Sequence, residues 1–179
     1  MASPLLSADL IAWAQAAGYT HTGDEHTVEL RPLNGATTRY HIRSQGDRRL
    51  VLTKTEPDTD HDEHTVLLIA APKVVAHHLY SLFGDDIRDD LDLPYLQLAW
   101  AADDLAPGYT LSTDADGLQV LVHHRLGAVA AAPDPTLGML TLVPLSRLLG
   151  LSAADLRRAF MAEDGAPLLS NGYYATKQT

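Results

Sequence analysis

Two histidines in the acidic stretch 56–64 are the residues best placed for metal chemistry, since His61 and His64 lie three positions apart among carboxylates. Imidazole and carboxylate groups are competent ligands for a divalent ion. The stretch lacks the His-Glu-x-x-His pattern and lies beside Pro57, so no helix is expected to hold the two imidazoles on one face. The pattern therefore favours a solvated acidic loop. A small metal-dependent hydrolase that uses these histidines is the third alternative for this chain.

General acid–base chemistry needs a carboxyl group whose pKa is shifted, usually by burial. The carboxylates of this chain cluster in hydrophilic runs, so we expect them to stay solvated with ordinary pKa values. The sequence has no cysteine and no Gly-x-Gly-x-x-Gly, Walker or Gly-x-Ser-x-Gly motif. It therefore predicts a protein that is not an enzyme and that carries no cofactor.

The charge of the chain is concentrated in its middle third. The net charge is −10, and residues 55–116 contain fourteen acidic and two basic residues. Such a field repels nucleic acid and anionic lipid and attracts basic partners. We therefore expect no nucleic-acid or membrane partner, and a basic protein as the partner. Four carboxylates that lie close together in the predicted loop are the candidate partner-binding residues: Asp58, Asp60, Asp62 and Glu63.

The N-terminal half predicts a helix, a meander of strands and a second helix. Residues 4–17 place Trp13 on an apolar stripe that repeats with helical spacing, so we expect this ring in the core. Residues 19–55 alternate between apolar and polar positions and are interrupted by turn signals, which predicts antiparallel strands. A helix is expected to start at Pro72 and to end at Gly84, followed by a surface loop over Asp85–Asp92.

The C-terminal half predicts a hairpin, one more strand and two helices. Their expected bounds are Tyr109–Thr113, Leu118–His123, Ala128–Ala132, Pro144–Leu149 and Ala153–Met161, with a loop over Pro133–Pro135. The order of helix, strands, helix, strands and helices favours an α+β fold. We therefore predict a single domain over residues 1–179, with a mostly antiparallel sheet packed with N-terminal, central and C-terminal helices.

The sequence shows no targeting signal. Its first basic residue is Arg31, Asp9 interrupts the early apolar stretch, and no apolar run approaches the roughly 18 residues that span a bilayer. We expect a cytoplasmic protein.

Several short motifs occur in one order along nearly the whole chain. The most specific are Leu79-Tyr80-Ser81-Leu82-Phe83-Gly84 and the tail from Phe160 through Asp164-Gly165-Ala166-Pro167-Leu168. The others are Leu6-Ser7-Ala8-Asp9-Leu10 with Trp13 and Gly18, Arg39-Tyr40-His41-Ile42, Ile87-Arg88, Leu93-Pro94 and Pro107-Gly108-Tyr109. With these motifs the chain resembles the actinobacterial polymorphic-toxin immunity family around the immunity factor for the tuberculosis necrotizing toxin.

The resemblance implies a non-enzymatic inhibitor. Its implied partner is a cognate toxin domain that hydrolyses NAD, an NAD glycohydrolase, which it binds one-to-one and whose dinucleotide cleft it covers. The second hypothesis, which the acidic charge alone would also fit, is a folding or secretion chaperone for a basic exported protein. A chaperone would release its client once the client is folded, whereas an immunity protein binds the folded toxin.

Overall fold

An eight-stranded antiparallel sheet and four helices form the frame of this protein, in a computed structural model that describes residues 5–35, 38–46, 48–56 and 62–175. The helices are α1 (Ala8–Ala16), α2 (Pro72–Asp90), α3 (Pro135–Leu148) and α4 (Ala153–Met161). The strands are β1 (Tyr19–Gly23), β2 (Thr27–Pro32), β3 (Arg39–Ser44), β4 (Leu50–Thr55), β5 (Glu63–Ala70), β6 (Tyr109–Thr113), β7 (Gln119–His123), β8 (Gly127–Ala132), β9 (Leu169–Ser170) and β10 (Tyr173–Tyr174). A short 3₁₀ turn covers Ala102–Asp104.

Two strand meanders join to make the large sheet, whose order is β1-β2-β3-β4-β5-β8-β7-β6. Strands β1 to β5 pair with their neighbours in chain order, as do β6 to β8, and all of these pairs are antiparallel. The meanders meet between β5 and β8, where Leu68 stands opposite Ala131 as the one paired position. The predicted hairpin of β6 and β7 and the predicted strand β8 are confirmed.

One face of the first meander carries the core. Side chains alternate across a strand, and Leu30, Ile42 and Leu52 on this face are fully buried beneath α1 and α2. Trp13 packs against the same core and donates its indole Nε1–H to the carbonyl oxygen of Tyr80 at 3.1 Å, as predicted for a core residue. The opposite face of this meander is polar.

The central helix is longer than the sequence predicts. It does not end at Gly84 but continues to Asp90, so the predicted surface loop over Asp85–Asp92 is wrong for most of its length. Gly84 lies where α2 crosses α4, and a Cβ atom there would stand 2.4 Å from Cγ of Phe160. Gly84 therefore permits a close contact between two helices inside the fold. In the sequence alone, a glycine with this long-range role looks the same as one that ends a helix.

Helix α3 also starts earlier than predicted. Asp134 is its N-cap, accepting hydrogen bonds at Oδ1 from the backbone N–H groups of Thr136 at 2.8 Å and Leu137 at 2.7 Å. The predicted Pro133–Pro135 loop is therefore wrong at Pro135, which is the first residue of the helix. Helix α4 has the predicted bounds, and Ser152 caps it by accepting from the N–H of Asp155 at 3.1 Å.

The α+β class with an antiparallel sheet packed with N-terminal, central and C-terminal helices is confirmed. Within the described ranges, no single helix has both the length and the apolar composition to cross a bilayer. Only α3 and α4 counted together, across a bend of 111°, would meet that test by length and composition.

Candidate protein-binding site

The C-terminal half of α2 carries the densest acidic surface of the described chain. Asp85 and Asp89, and likewise Asp86 and Asp90, are four residues apart and share a side of the helix. Like charges at this spacing destabilise a helix, and carboxylates near its C-terminus also oppose the helix dipole. The four carboxylates therefore lower the stability of the helix. Residues that lower stability in this way are expected to serve another purpose, such as recognition of a partner.

Asp85 is the acidic residue whose surroundings are most unusual. Burial first, then the charge of the neighbouring Asp86, raise its pKa to about 6, against a smaller lowering by Arg88. The prediction that the carboxylates keep ordinary pKa values is therefore wrong here. Because the folded pKa is raised, ionised Asp85 costs stability: the loss is absent below pH 3.8, the ordinary pKa, and develops fully as the pH rises through about 6.

Asp86 turns to the other side of the helix. Burial raises the pKa of Asp86, against a lowering by the neighbouring hydroxyl of Tyr19. The Oδ2 atom of Asp86 is buried without a hydrogen-bond partner among the described residues. The adjacent carboxyl groups of Asp85 and Asp86 thus face different neighbours and do not form a paired acid–base centre.

Two internal hydrogen bonds hold the segment 93–100 in place beside this acidic helix. The buried Arg88 donates its Nε–H to the carbonyl oxygen of Pro94 at 2.9 Å, and the hydroxyl of Tyr174 donates to that of Ala99 at 2.7 Å. Leu96 between them is buried in the core. A segment without regular secondary structure is therefore fixed at both ends and at its middle.

The fixed segment displays two aromatic rings to solvent. Tyr95 is 72% exposed and Trp100 is 49% exposed. The pKa of the Tyr95 phenol is raised, first by the charge of Asp85, then by burial and by Asp86 and Asp89. Interaction hot spots are enriched in Trp and Tyr. Two exposed aromatic side chains next to carboxylates on a fixed segment are therefore typical of a protein-binding surface.

A groove of about 320 Å³ lies between α2, the segment 93–100 and α3, and we call it the α2–α3 groove. Nine large apolar side chains are exposed in the described chain, and three of them, Tyr95, Trp100 and Leu140, line this groove. Its lining includes His78, Asp85, Tyr95, Trp100, Leu140 and Thr141. This concentration of exposed apolar surface beside negative charge makes the groove the strongest candidate for a protein-binding site.

Two further cavities lack this combination. A cavity of about 340 Å³ beside Tyr174 contains Arg147, whose guanidinium stacks on that ring at 5.0 Å and donates to the carbonyl of Asp104 at 2.7 Å. A cavity of about 490 Å³ is edged by the basic residues Arg49 and Lys73, opposite in sign to the acidic surface.

The structure describes part of the predicted acidic contact set. Asp58 and Asp60 lie outside the described residues, while Asp62 is exposed. Glu63 begins β5 and forms an ion pair with Arg43, which donates from Nη1 to Oε2 at 2.6 Å. This hydrogen bond lowers the pKa of Glu63, so its charge is already partly neutralised on the polar face of the sheet.

The histidines do not form a metal cluster in the part of the chain that the structure describes, where no group of three or more potential His, Asp or Glu ligands occurs. His61 lies outside the described residues, and His64 is exposed on β5. His77 is buried, with its ring nitrogens 2.8 Å from the carbonyl oxygen of Lys73 and 3.0 Å from that of Leu151. His78 lines the α2–α3 groove, and burial lowers its pKa to about 4, so the ring is neutral at pH 7.

Sequence reasoning did not identify the groove. Periodicity over 93–100 is ambiguous, so it cannot distinguish a displayed Tyr95 or Trp100 from core residues. The available signal was a pair of aromatics directly after an acidic run in a chain with few aromatics, 6% in all.

The chain is similar to known proteins along most of its length. The family model described as Immunity protein 61 matches residues 13–168. The immunity factor for TNT of Mycobacterium tuberculosis (strain ATCC 25618 / H37Rv) and its homolog in Mycobacterium bovis (strain BCG / Pasteur 1173P2) are each 24% identical over 180 residues. Each alignment covers 92% of this chain and 93% of the relative. The solved structure of Rv3902c from M. tuberculosis has a TM-score of 0.78 at 23% identity. It covers 97% of this chain and 96% of that one, which shows a common fold.

Proposed function

Since this chain belongs to the immunity protein 61 family, we propose that it neutralises one cognate toxin domain by binding it one-to-one, without catalysing a reaction itself. The toxin is an NAD glycohydrolase in this proposal, and the bound immunity protein covers its dinucleotide cleft in the cytoplasm of the producing cell. The relatives named as immunity factors for TNT support a toxin partner.

The observation that carries the proposal is the α2–α3 groove. It combines exposed aromatic rings, an acidic helix and a support that is fixed by internal hydrogen bonds. Carboxylates accelerate association with a basic partner, while buried aromatic anchors set the dissociation rate. A preorganised surface of this kind binds with a smaller loss of conformational entropy.

Stoichiometric inhibition is the first expected result. The cognate toxin domain should be sought in the reading frame adjacent to this chain's gene. Its rate of NAD hydrolysis should fall in proportion to the amount of this protein that is added, and should reach zero at one molar equivalent. Co-expression should also rescue cells from the toxin. Full toxin activity at tenfold molar excess contradicts the proposal, and so does turnover of NAD by this chain alone. Binding that requires an unfolded toxin would support the chaperone instead.

The four acidic residues of the predicted contact set are a second expected contact in this proposal. Reversing the charges of Asp58, Asp60, Asp62 and Glu63 to Lys should slow toxin association by about tenfold at low ionic strength, because these charges steer a basic partner. The difference should shrink in high salt, where charges are screened beyond roughly 3 Å at 1 M. Stopped-flow association rates measure it, with Asp116→Lys in the β6–β7 turn as the control. Unchanged association rates at both salt concentrations would show that these four residues are not part of the interface.

A further inference from the structure

We propose that the α2–α3 groove binds an arginine side chain of the cognate toxin domain, with the guanidinium paired to Asp85 and stacked against Trp100. This inference rests on the proposed function, because the toxin is the molecule that supplies the side chain. It adds the chemistry by which the partner is recognised.

The negative charge of Asp85 is only partly compensated, since Arg88 lowers the pKa of this residue less than burial and Asp86 raise it. None of the described residues that line it is Lys or Arg, and His78 is neutral at pH 7. Arg88 is the only basic residue of the acidic half of α2, but its guanidinium points inward and is engaged by backbone carbonyl groups. The carboxylate of Asp85 is thus held beside apolar walls in a form that an incoming cation would stabilise.

Asp85 supplies the only carboxylate among the described residues that line the groove. Pro144 lies inside α3 and has no N–H, so the carbonyl oxygen of Leu140 does not receive the usual donor from four residues later. Leu140 and Pro144 both line the groove, so this interrupted turn of α3 forms part of its wall. A guanidinium presents five N–H donors and no acceptor, and two of these donors can pair with the carboxylate of Asp85.

The aromatic rings favour arginine over lysine. A planar guanidinium stacks on an aromatic face as well as pairing with a carboxylate, and tryptophan is the strongest ring for such cation–π contact. Trp100 and Tyr95 are held by the fixed segment 93–100, so little reorganisation is needed when the side chain enters. A volume of about 320 Å³ suits one long side chain.

The test uses binding of the purified toxin domain to three variants of the full chain. Trp100→Ala should raise the Kd by at least about 30-fold, the range of a hot-spot anchor. Asp85→Asn should raise the Kd about tenfold, while its Tm at pH 7.5 should be higher than that of the wild type, because an ionised and half-buried carboxylate is removed. Leu126→Ala, an exposed apolar side chain outside the groove at 76% exposure, should change the Kd by less than twofold.

A peptide probe tests the occupant independently of the toxin. The chain has two tryptophans, and the indole N–H of Trp13 is bonded internally to Tyr80, so only the Trp100 indole signal should shift in ¹H–¹⁵N NMR spectra. We expect such a shift with acetyl-Gly-Arg-Gly amide, a weaker one with the lysine peptide, and none with the neutral citrulline peptide. In Asp85→Asn the arginine shift should be lost.

The outcomes separate the two proposals. If the wild-type protein does not bind the toxin, the proposed function fails, while the peptide titration still decides whether the groove accepts a guanidinium. If the wild type binds the toxin and both Trp100→Ala and Asp85→Asn bind it equally well, the groove is not the contact. Equal shifts with the arginine and citrulline peptides would also overturn the inference, since the charge would then have no role.

Discussion

Replacing Arg88 by methionine is expected to destabilise the protein by about 3–5 kcal/mol, the range found when one partner of a buried charged network is removed. The side chain is fully buried at 0% exposure. Its guanidinium donates to the carbonyl oxygens of Phe160 at 2.9 Å, Ala162 at 2.6 Å and Glu163 at 3.0 Å, and to that of Pro94. These carbonyl groups would lose their partner inside the fold, where each unsatisfied group costs about 1–3 kcal/mol.

The position of these carbonyl groups makes Arg88 more than a local contact. Phe160 lies in the last turn of α4, and Ala162 and Glu163 directly follow the helix, at the end where backbone carbonyls lack intrahelical donors and the helix dipole is negative. Pro94 lies near the start of the segment 93–100, which carries the exposed rings. One cation thus caps a helix and fixes the binding segment at the same time, so its loss should also weaken toxin binding.

Urea unfolding followed by circular dichroism measures the effect of Arg88→Met. Arg88→Lys keeps the charge but presents three donors from a point-like ammonium, so an intermediate loss is expected. Arg158→Met is the matched control, because this arginine is exposed and pairs with Asp155 at 3.0 Å, a surface pair worth at most about 1 kcal/mol. If the Arg88→Met protein is as stable as the Arg158→Met control, the hydrogen bonds of Arg88 do not stabilise the fold as expected.

Gly84→Ala should destabilise the fold by about 2–3 kcal/mol, even though alanine is the better helix former by about 1 kcal/mol. The new Cβ would lie 2.4 Å from Cγ, 2.5 Å from Cδ1 and 2.8 Å from Cβ of Phe160. These atoms belong to the root of a fully buried ring, which cannot swing aside as a flexible side-chain end would. The clash therefore outweighs the gain in helix propensity.

A double-mutant cycle tests this steric origin. Phe160→Leu alone should cost stability by leaving a cavity, but Gly84→Ala combined with Phe160→Leu should cost less than the sum of the two single changes. The expected coupling is within the range of about 0.5–3 kcal/mol found for residues in contact. Greater stability of Gly84→Ala than of the wild type, or strict additivity in the cycle, would show that the helices have room to move apart.

Local signals in the sequence predicted those parts of the fold that local chemistry decides. The β6–β7 hairpin followed from its Asp-Ala-Asp-Gly turn, in which Asp114 accepts hydrogen bonds from the backbone of Asp116 and Leu118. The cap of α4 followed from Ser152 and Asp155 at their characteristic spacing. The sequence also contains a signal for the start of α3, because Asp134 and Pro135 fit an N-cap and a first helical position. The two prolines on either side of Asp134 indicated a loop instead.

The groove and the second half of α2 depend on contacts between distant residues. Gly84 meets Phe160, and Arg88 meets the end of α4 more than 70 positions away. Read locally, Gly84 is a helix stop and the following carboxylates are a loop. The charge total correctly located the acidic third but could not place its members on a helix beside two aromatic rings, because that placement is set by tertiary packing.

The junction between β5 and β8 affects how the two walls of the groove are held together. Helix α2 follows β5 and packs on the first meander, whereas α3 follows β8 and packs on the second. The two meanders share one backbone-paired position, Leu68 opposite Ala131, and Ile69 beside it has a left-handed φ of 54°. The walls of the groove thus stand on two parts of the sheet that share one backbone-paired position, and direct packing of α2 against α3 joins these parts a second time. Side-chain packing as well as the sheet therefore sets the spacing of the groove walls, which fits a surface that is preorganised for one partner.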